Sequence, residues 1–93
     1  MIHGAPTVFP SDIGLLMHAL GIDGRAREQW GYRNYFATDP KGADHDGLKR
    51  LQAAGLARLS GFDGTNLYYK ATREGCFLAG MEPHEVDRMG GKV

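Results

Sequence analysis

Apolar positions along the chain recur with two different periods, and the change of period marks where helix gives way to strand. Ile13, Leu16, Met17 and Leu20 fall at i, i+3, i+4 and i+7, one face of a helix. Ser11 is placed to cap that helix through its hydroxyl, Asp12 complements the helix dipole, and Gly21 supplies a left-handed stop, so a helix is expected over 11–20. A second helical run covers 44–54, with Leu48 and Leu51 inward, and ends at Gly55. Beyond it the pattern alternates: Leu56-Ala57-Arg58-Leu59, a turn cluster Ser60-Gly61-Phe62-Asp63-Gly64-Thr65, and a return run Leu67-Tyr68-Tyr69-Lys70-Ala71. This predicts an antiparallel hairpin pairing 56–60 with 66–71, with Leu67 and Tyr69 on one face and Tyr68 and Lys70 on the other. Leu56 and Leu59 are three apart, which breaks strict alternation unless a bulge or an early strand end intervenes. Thr72 is placed to cap a last helix over 72–80.

The remaining segments are less regular. Residues 1–10 read as an extended arm with a short strand at Thr7-Val8-Phe9, and 82–93 as a flexible tail, leaving 11–81 as the folded part of one domain. In the middle, Tyr32, Tyr35 and Phe36 suit a short helix with an aromatic face, while a strand or an irregular aromatic loop fits nearly as well; Asp39-Pro40-Lys41-Gly42 is a turn by composition. The expected core is Ile13, Leu16, Leu20, Tyr35, Phe36, Leu48, Leu51, Leu56, Leu59, Leu67, Tyr69, Phe77 and Leu78. Gly47 inside the second helix lowers its propensity by about 1 kcal/mol. Either a close backbone approach or a loosely formed first turn accounts for it.

At 93 residues the chain has room for one small domain, and its 42% apolar content supports a modest core. Net charge is zero, but its distribution is uneven. Residues 25–73 hold nine Lys/Arg against five acids, a net of +4, between two segments that each carry −2. The single cysteine, Cys76, excludes an internal disulfide framework and fits a reducing compartment. The first residues show no basic stretch followed by an apolar one, and no apolar run approaches the roughly 20 residues that span a bilayer. The expectation is a cytoplasmic protein with no membrane partner.

Residues 44–81 resemble the recognition helix, wing hairpin and final helix of winged-helix domains. The resemblance is carried by Leu48-Lys49-Arg50-Leu51-Gln52-Ala53-Ala54-Gly55-Leu56 and by Tyr68-Tyr69-Lys70-Ala71-Thr72-Arg73-Glu74-Gly75. More narrowly, Tyr32-Arg33-Asn34-Tyr35-Phe36, Asp44-His45 and that ending look like short uncharacterised proteins of tailed phages and prophages, which would place the chain in a host cytoplasm. The resemblance implies an α+β winged-helix-like domain with three or more helices and a two- to three-stranded antiparallel hairpin. It departs from the pattern in residues 24–42, which do not clearly supply the second helix that props a recognition helix against DNA.

The function it implies is DNA binding, or transcriptional regulation, through helix 44–54 and the 60–66 wing. Lysine and arginine would neutralise phosphates while polar side chains on the inserted helix read base edges. The candidates are His45, Lys49, Arg50 and Gln52 on the helix, Arg33 and Asn34 before it, and Asn66 and Lys70 on the wing. Asp44 and Asp46 on the same helix work against phosphate. The alternative is a non-catalytic protein-interaction module, a phage accessory factor presenting Trp30, Tyr32, Tyr35, Phe62 and Tyr68 to a host or phage protein. A homodimer is compatible with both. Enzymatic chemistry is not expected, nor any cofactor or metal. His3, His18, His45 and His84 lack ligand spacing with one another or with Cys76, and no glycine-rich phosphate loop follows a strand.

Overall fold

A computed structural model of the chain describes residues 7–93. Residues 1–6 of the expected arm lie outside the described residues. Thr7-Val8-Phe9 is not a strand but leads directly into helix α1 (Pro10–Leu20). The cap is also not the one expected. Phe9 occupies the cap position, Pro10 starts the helix, and the Asp12 carboxylate reaches back to accept from the Phe9 N–H at 3.0 Å. A Pro at the first helical position has no N–H to leave unpaired, which is why the helix starts one residue before Ser11. Gly21 ends α1 at φ 71°, and the Ile22 N–H donates to the Met17 carbonyl to close the end.

A single 3-10 turn (Arg27–Gln29) and an irregular aromatic stretch lead to strand β1 (Phe36–Thr38), so residues 32–36 do not form a helix. The Asp39–Gly42 turn holds as expected, with the Lys41 N–H on the Asp39 carboxylate. Helix α2 (Ala43–Ala53) follows, then β2 (Ala57–Phe62), β3 (Leu67–Ala71), α3 (Arg73–Leu78), α4 (Pro83–Met89) and a closing 3-10 turn (Gly90–Lys92). The sheet is antiparallel in the order β1-β3-β2. Among the described residues, four helices and a three-stranded sheet make an α+β fold, consistent with a small winged-helix-like domain.

The core lies between the helices and one face of the sheet. Leu16, Leu20, Leu48, Leu51, Tyr69, Ala71, Cys76 and Val86 are all buried in it. Side chains at 57, 59, 67, 69 and 71 share the inward face, and the register shift lies between Leu59 and Gly61, so Leu56 precedes the strand instead of belonging to it. Four expected core residues are exposed: Tyr35 (51%), Leu59 (46%), Leu78 (44%) and Phe77 (38%). Tyr35 faces the other side of the sheet. Leu59 sits where β2 begins to run past the helices. Phe77 and Leu78 lie on α3 positions turned from Gly75 and Cys76, which face the core. Ile13 is half-buried.

The expected flexible tail forms α4 instead. Its Val86 and Met89 are buried in the core together with Met81 and Ile22. Arg27 donates twice, at 2.9 Å, to the buried Glu85, tying α4 to the turn after α1.

Two phrases of the sequence acquire their reasons here. The Thr72 hydroxyl donates to the Gly55 carbonyl at 2.7 Å and accepts from the Gly75 N–H, joining the end of α2 to the start of α3. A Cβ on Gly75 would lie 2.0 Å from the Leu56 carbonyl oxygen, so glycine is needed for α3 to sit down on that turn. Gly55 at φ 77° supports the left-handed stop expected of it.

Candidate nucleic-acid interface

The eight sequence candidates divide sharply once their partners are known. Asn34 is buried, bonded through its amide to both the N–H and the carbonyl of Ala71 and to the Lys92 carbonyl. It extends β1 along β3 by side chain where the backbone has left the ladder. His45 bridges the Pro40 carbonyl (2.7 Å) and the Tyr69 hydroxyl (3.1 Å). Arg50 makes a bidentate pair with Asp12, both bonds 2.8 Å, and its guanidinium also lies over the Phe9 ring. These three hold the molecule together. The Asp12 carboxyl is held below its ordinary value first by the Arg50 hydrogen bonds, against the opposing effect of burial.

Of the helix candidates, Lys49 and Gln52 remain exposed, beside Asp44 and Asp46. With Arg50 committed to Asp12, the exposed charges of α2 are Lys49 against Asp44 and Asp46. The proposed reading helix is therefore not basic. Asn66, at the wing, donates its backbone N–H to Asp63.

Two cations stand together on the other side of the sheet. Arg58 and Lys70 are direct cross-strand partners on β2 and β3, both pointing away from the core. The β1–β3 register, Phe36 opposite Tyr69 and Ala37 opposite Tyr68, continues by one step into the Asn34–Ala71 side-chain bonds. Tyr35 is thereby placed opposite Lys70. One row across the sheet thus reads Tyr35, Lys70, Arg58, and the next reads Ala37, Tyr68, Gly61. Among the described residues neither Arg58 nor Lys70 forms an ion pair. Like charges directly opposite each other on a sheet are destabilising, and among the described residues no ion pair offsets this couple.

Arg33 flanks the same face. Its guanidinium packs over Tyr32 and Tyr35, and its Nη2 donates to the His18 carbonyl at 2.7 Å. Its Nε is buried without a hydrogen-bond partner. With His18, Tyr35, Phe36 and Ala37 it lines a cleft of about 180 Å³, smaller than the roughly 300–1,000 Å³ of small-molecule pockets. At the wing tip, Asp63 accepts from the N–H groups of Asn66 and Thr65 and from the Tyr68 hydroxyl at 2.6 Å. The Asn66 bond, then the Tyr68 and Thr65 bonds, lower its carboxyl to about 2. The same bond raises the Tyr68 hydroxyl above its ordinary value. Asp63 is thus a fixed anion at the wing tip, and its bond to the Tyr68 hydroxyl holds that ring in place.

Sequence reasoning found Arg33 and Lys70 but missed Arg58, Tyr35 and Tyr68 as one surface. The alternation of 58 and of 68 and 70 was readable. Their assembly depends on β1, whose register the sequence leaves open. Cys76 is fully buried and burial pushes its thiol up to about 11, away from thiolate chemistry. Among the described residues no group of three or more His, Cys, Asp or Glu is placed to hold a metal, and no helix is long and apolar enough to cross a membrane. Comparisons with protein-family models, curated proteins and solved structures return no match for this chain.

Proposed function

We propose that this protein is a non-catalytic nucleic-acid-binding domain whose contact surface is the outer face of the sheet, not helix α2. The observation that carries this reading is the unpaired Arg58–Lys70 couple on an open sheet face. A fold that places two cations side by side without a carboxylate gains when an anion arrives, and a phosphate backbone supplies anions at regular spacing. Arg33 adds a third cation beside Tyr35. The resemblance to winged-helix domains agrees with nucleic acid as the partner, while the locked Arg50 and His45 and the acidic start of α2 argue against insertion of that helix.

The test is a fluorescence-anisotropy titration with labelled oligonucleotides at two salt concentrations. Three phosphate-contacting cations give a log–log salt slope of about −2 to −3. Arg58→Ala/Lys70→Ala should reduce both affinity and slope, and Lys49→Ala should leave them nearly unchanged. A dominant effect of Lys49 would return the contact to α2, and no binding at low salt would remove the reading.

A second reading is favoured by a different observation. Leu59, Phe62 and the partly buried Leu67 share the inward face of the hairpin where it runs beyond the helices, and Phe62 is 60% exposed. An apolar wing of this kind suits a protein partner. Phe62→Ser should then abolish that partner's binding without affecting oligonucleotides.

A further inference from the structure

The structure points to single-stranded nucleic acid, rather than duplex, as the occupant of the outer sheet face. This inference rests on the nucleic-acid reading above and narrows it. Three features carry it. Lys70 and Arg58 lie side by side on β3 and β2, with Tyr35 opposite Lys70 at the start of β1, and not on a protruding helix. A duplex major groove about 12 Å wide admits a helix or a two-stranded ribbon, and a three-stranded sheet presented by its face does not enter it. Second, Tyr35 and Tyr68 both neighbour Lys70 on that face, Tyr35 opposite it and Tyr68 two residues before it on β3, which makes the two tyrosines diagonal neighbours on adjacent strands. Diagonal neighbours are about 7–8 Å apart. Bases stacked in a helix are about 3.4 Å apart, so two tyrosines at this separation suit bases splayed out of a stack. Aromatic rings hold such bases by their π-faces without regard to sequence, and paired bases inside a duplex do not offer those faces.

Third, the groups around the tyrosines divide the work. Lys70 and Arg58 stand beside them to meet the phosphates between successive bases. Arg33, against the Tyr35 ring, adds a cation at the β1 edge. Asp63 repels phosphate at the wing tip, so the strand crosses the sheet along the Tyr35–Lys70–Arg58 row and does not continue toward the tip. None of these contacts requires a sugar of one kind, so DNA and RNA strands both qualify.

The experiment compares oligothymidylate, oligouridylate, an abasic strand of equal length and a duplex of equal length, all by anisotropy at one low salt concentration. Either base-bearing single strand should bind at least about tenfold more tightly than the duplex. The abasic strand keeps the phosphates but not the stacking and should fall behind its base-bearing counterpart. Tyr35→Leu, at an exposed position that the fold does not need, should weaken single-strand binding about 5- to 100-fold. Tyr68→Phe keeps the ring and should retain binding, whereas Tyr68→Leu should lose it with an unchanged circular dichroism spectrum. Equal binding of abasic and base-bearing strands, or a duplex preference unaffected by Tyr35→Leu, overturns the single-strand inference while leaving nucleic-acid binding in place. Failure of all four probes at low salt overturns both.

Discussion

At the scale of single residues, several side chains that look free in the sequence are committed in the fold, and glycines explain why. Gly47 is buried, and a Cβ there would lie 2.6 Å from Leu15 Cδ1 and 2.7 Å from Asp12 Oδ1. Close approach of α1 and α2, not a loose first turn, is the reason for it. Gly14 on α1 faces open space. The two make a matched test by denaturant unfolding: Gly14→Ala should stabilise by about 0.5–1 kcal/mol through helix propensity, while Gly47→Ala should destabilise by about 1–3 kcal/mol because Asp12 is pinned by Arg50 and does not give way. Stabilisation at Gly47 would show the contact to be soft. The same ion pair sets a pH dependence. Asp12 has a lowered pKa in the folded state, so its contribution is full above the ordinary carboxylate value of about 4 and is lost as pH falls through the folded value. Arg50→Ala leaves a buried carboxylate unpaired and should cost about 1–3 kcal/mol near neutral pH. That deficit should shrink below about pH 4, where the stranded carboxyl protonates in folded and unfolded chains alike. A deficit independent of pH would place the loss in packing against Phe9 instead. None of this was visible in the sequence, because Asp12 and Arg50 are 38 positions apart and each has an ordinary local role as helix-end charge and surface cation.

At the scale of elements, the legible parts were those in which local signals agree. The α1 and α2 periodicities, the Gly21 and Gly55 stops, the hairpin and the Thr72 cap all follow from nearby residues, and all of them form. The elements that were misread depend on distant partners. Strand β1 has only three residues and exists because β3 offers it an edge, with Asn34 completing the pairing by side chain. Helix α4 begins at Pro83 and is short, charged and glycine-flanked, and so reads as a tail. Its place is fixed by Arg27–Glu85 and by Val86, which no local pattern announces. Val86→Ala should therefore cost about 1–3 kcal/mol, measured by urea unfolding followed through Trp30 fluorescence. A change below about 0.5 kcal/mol would mean that α4 is only loosely attached. Leu51→Ala on α2 should cost more, about 2–5 kcal/mol, since Leu51 is fully buried at the centre of the core.

For the molecule as a whole, the net charge is zero, but the charged side chains are not all used alike. Asp12 and Glu85 are buried in clamps with Arg50 and Arg27, whereas Arg58 and Lys70 stand side by side on the outer face of the sheet. Of the candidate site, the residue types were readable but the face was not. Helix 44–54 carried the resemblance, and its cations proved to be one clamp and one isolated lysine. The most direct measurement is an NMR titration of labelled protein with a short oligothymidylate, following backbone amides. The account predicts perturbations concentrated in β1, β3 and β2, at Tyr35, Ala37, Arg58, Tyr68 and Lys70, with α2 from Asp44 to Gln52 nearly silent. Perturbations centred on α2, or none anywhere at low salt, would contradict it.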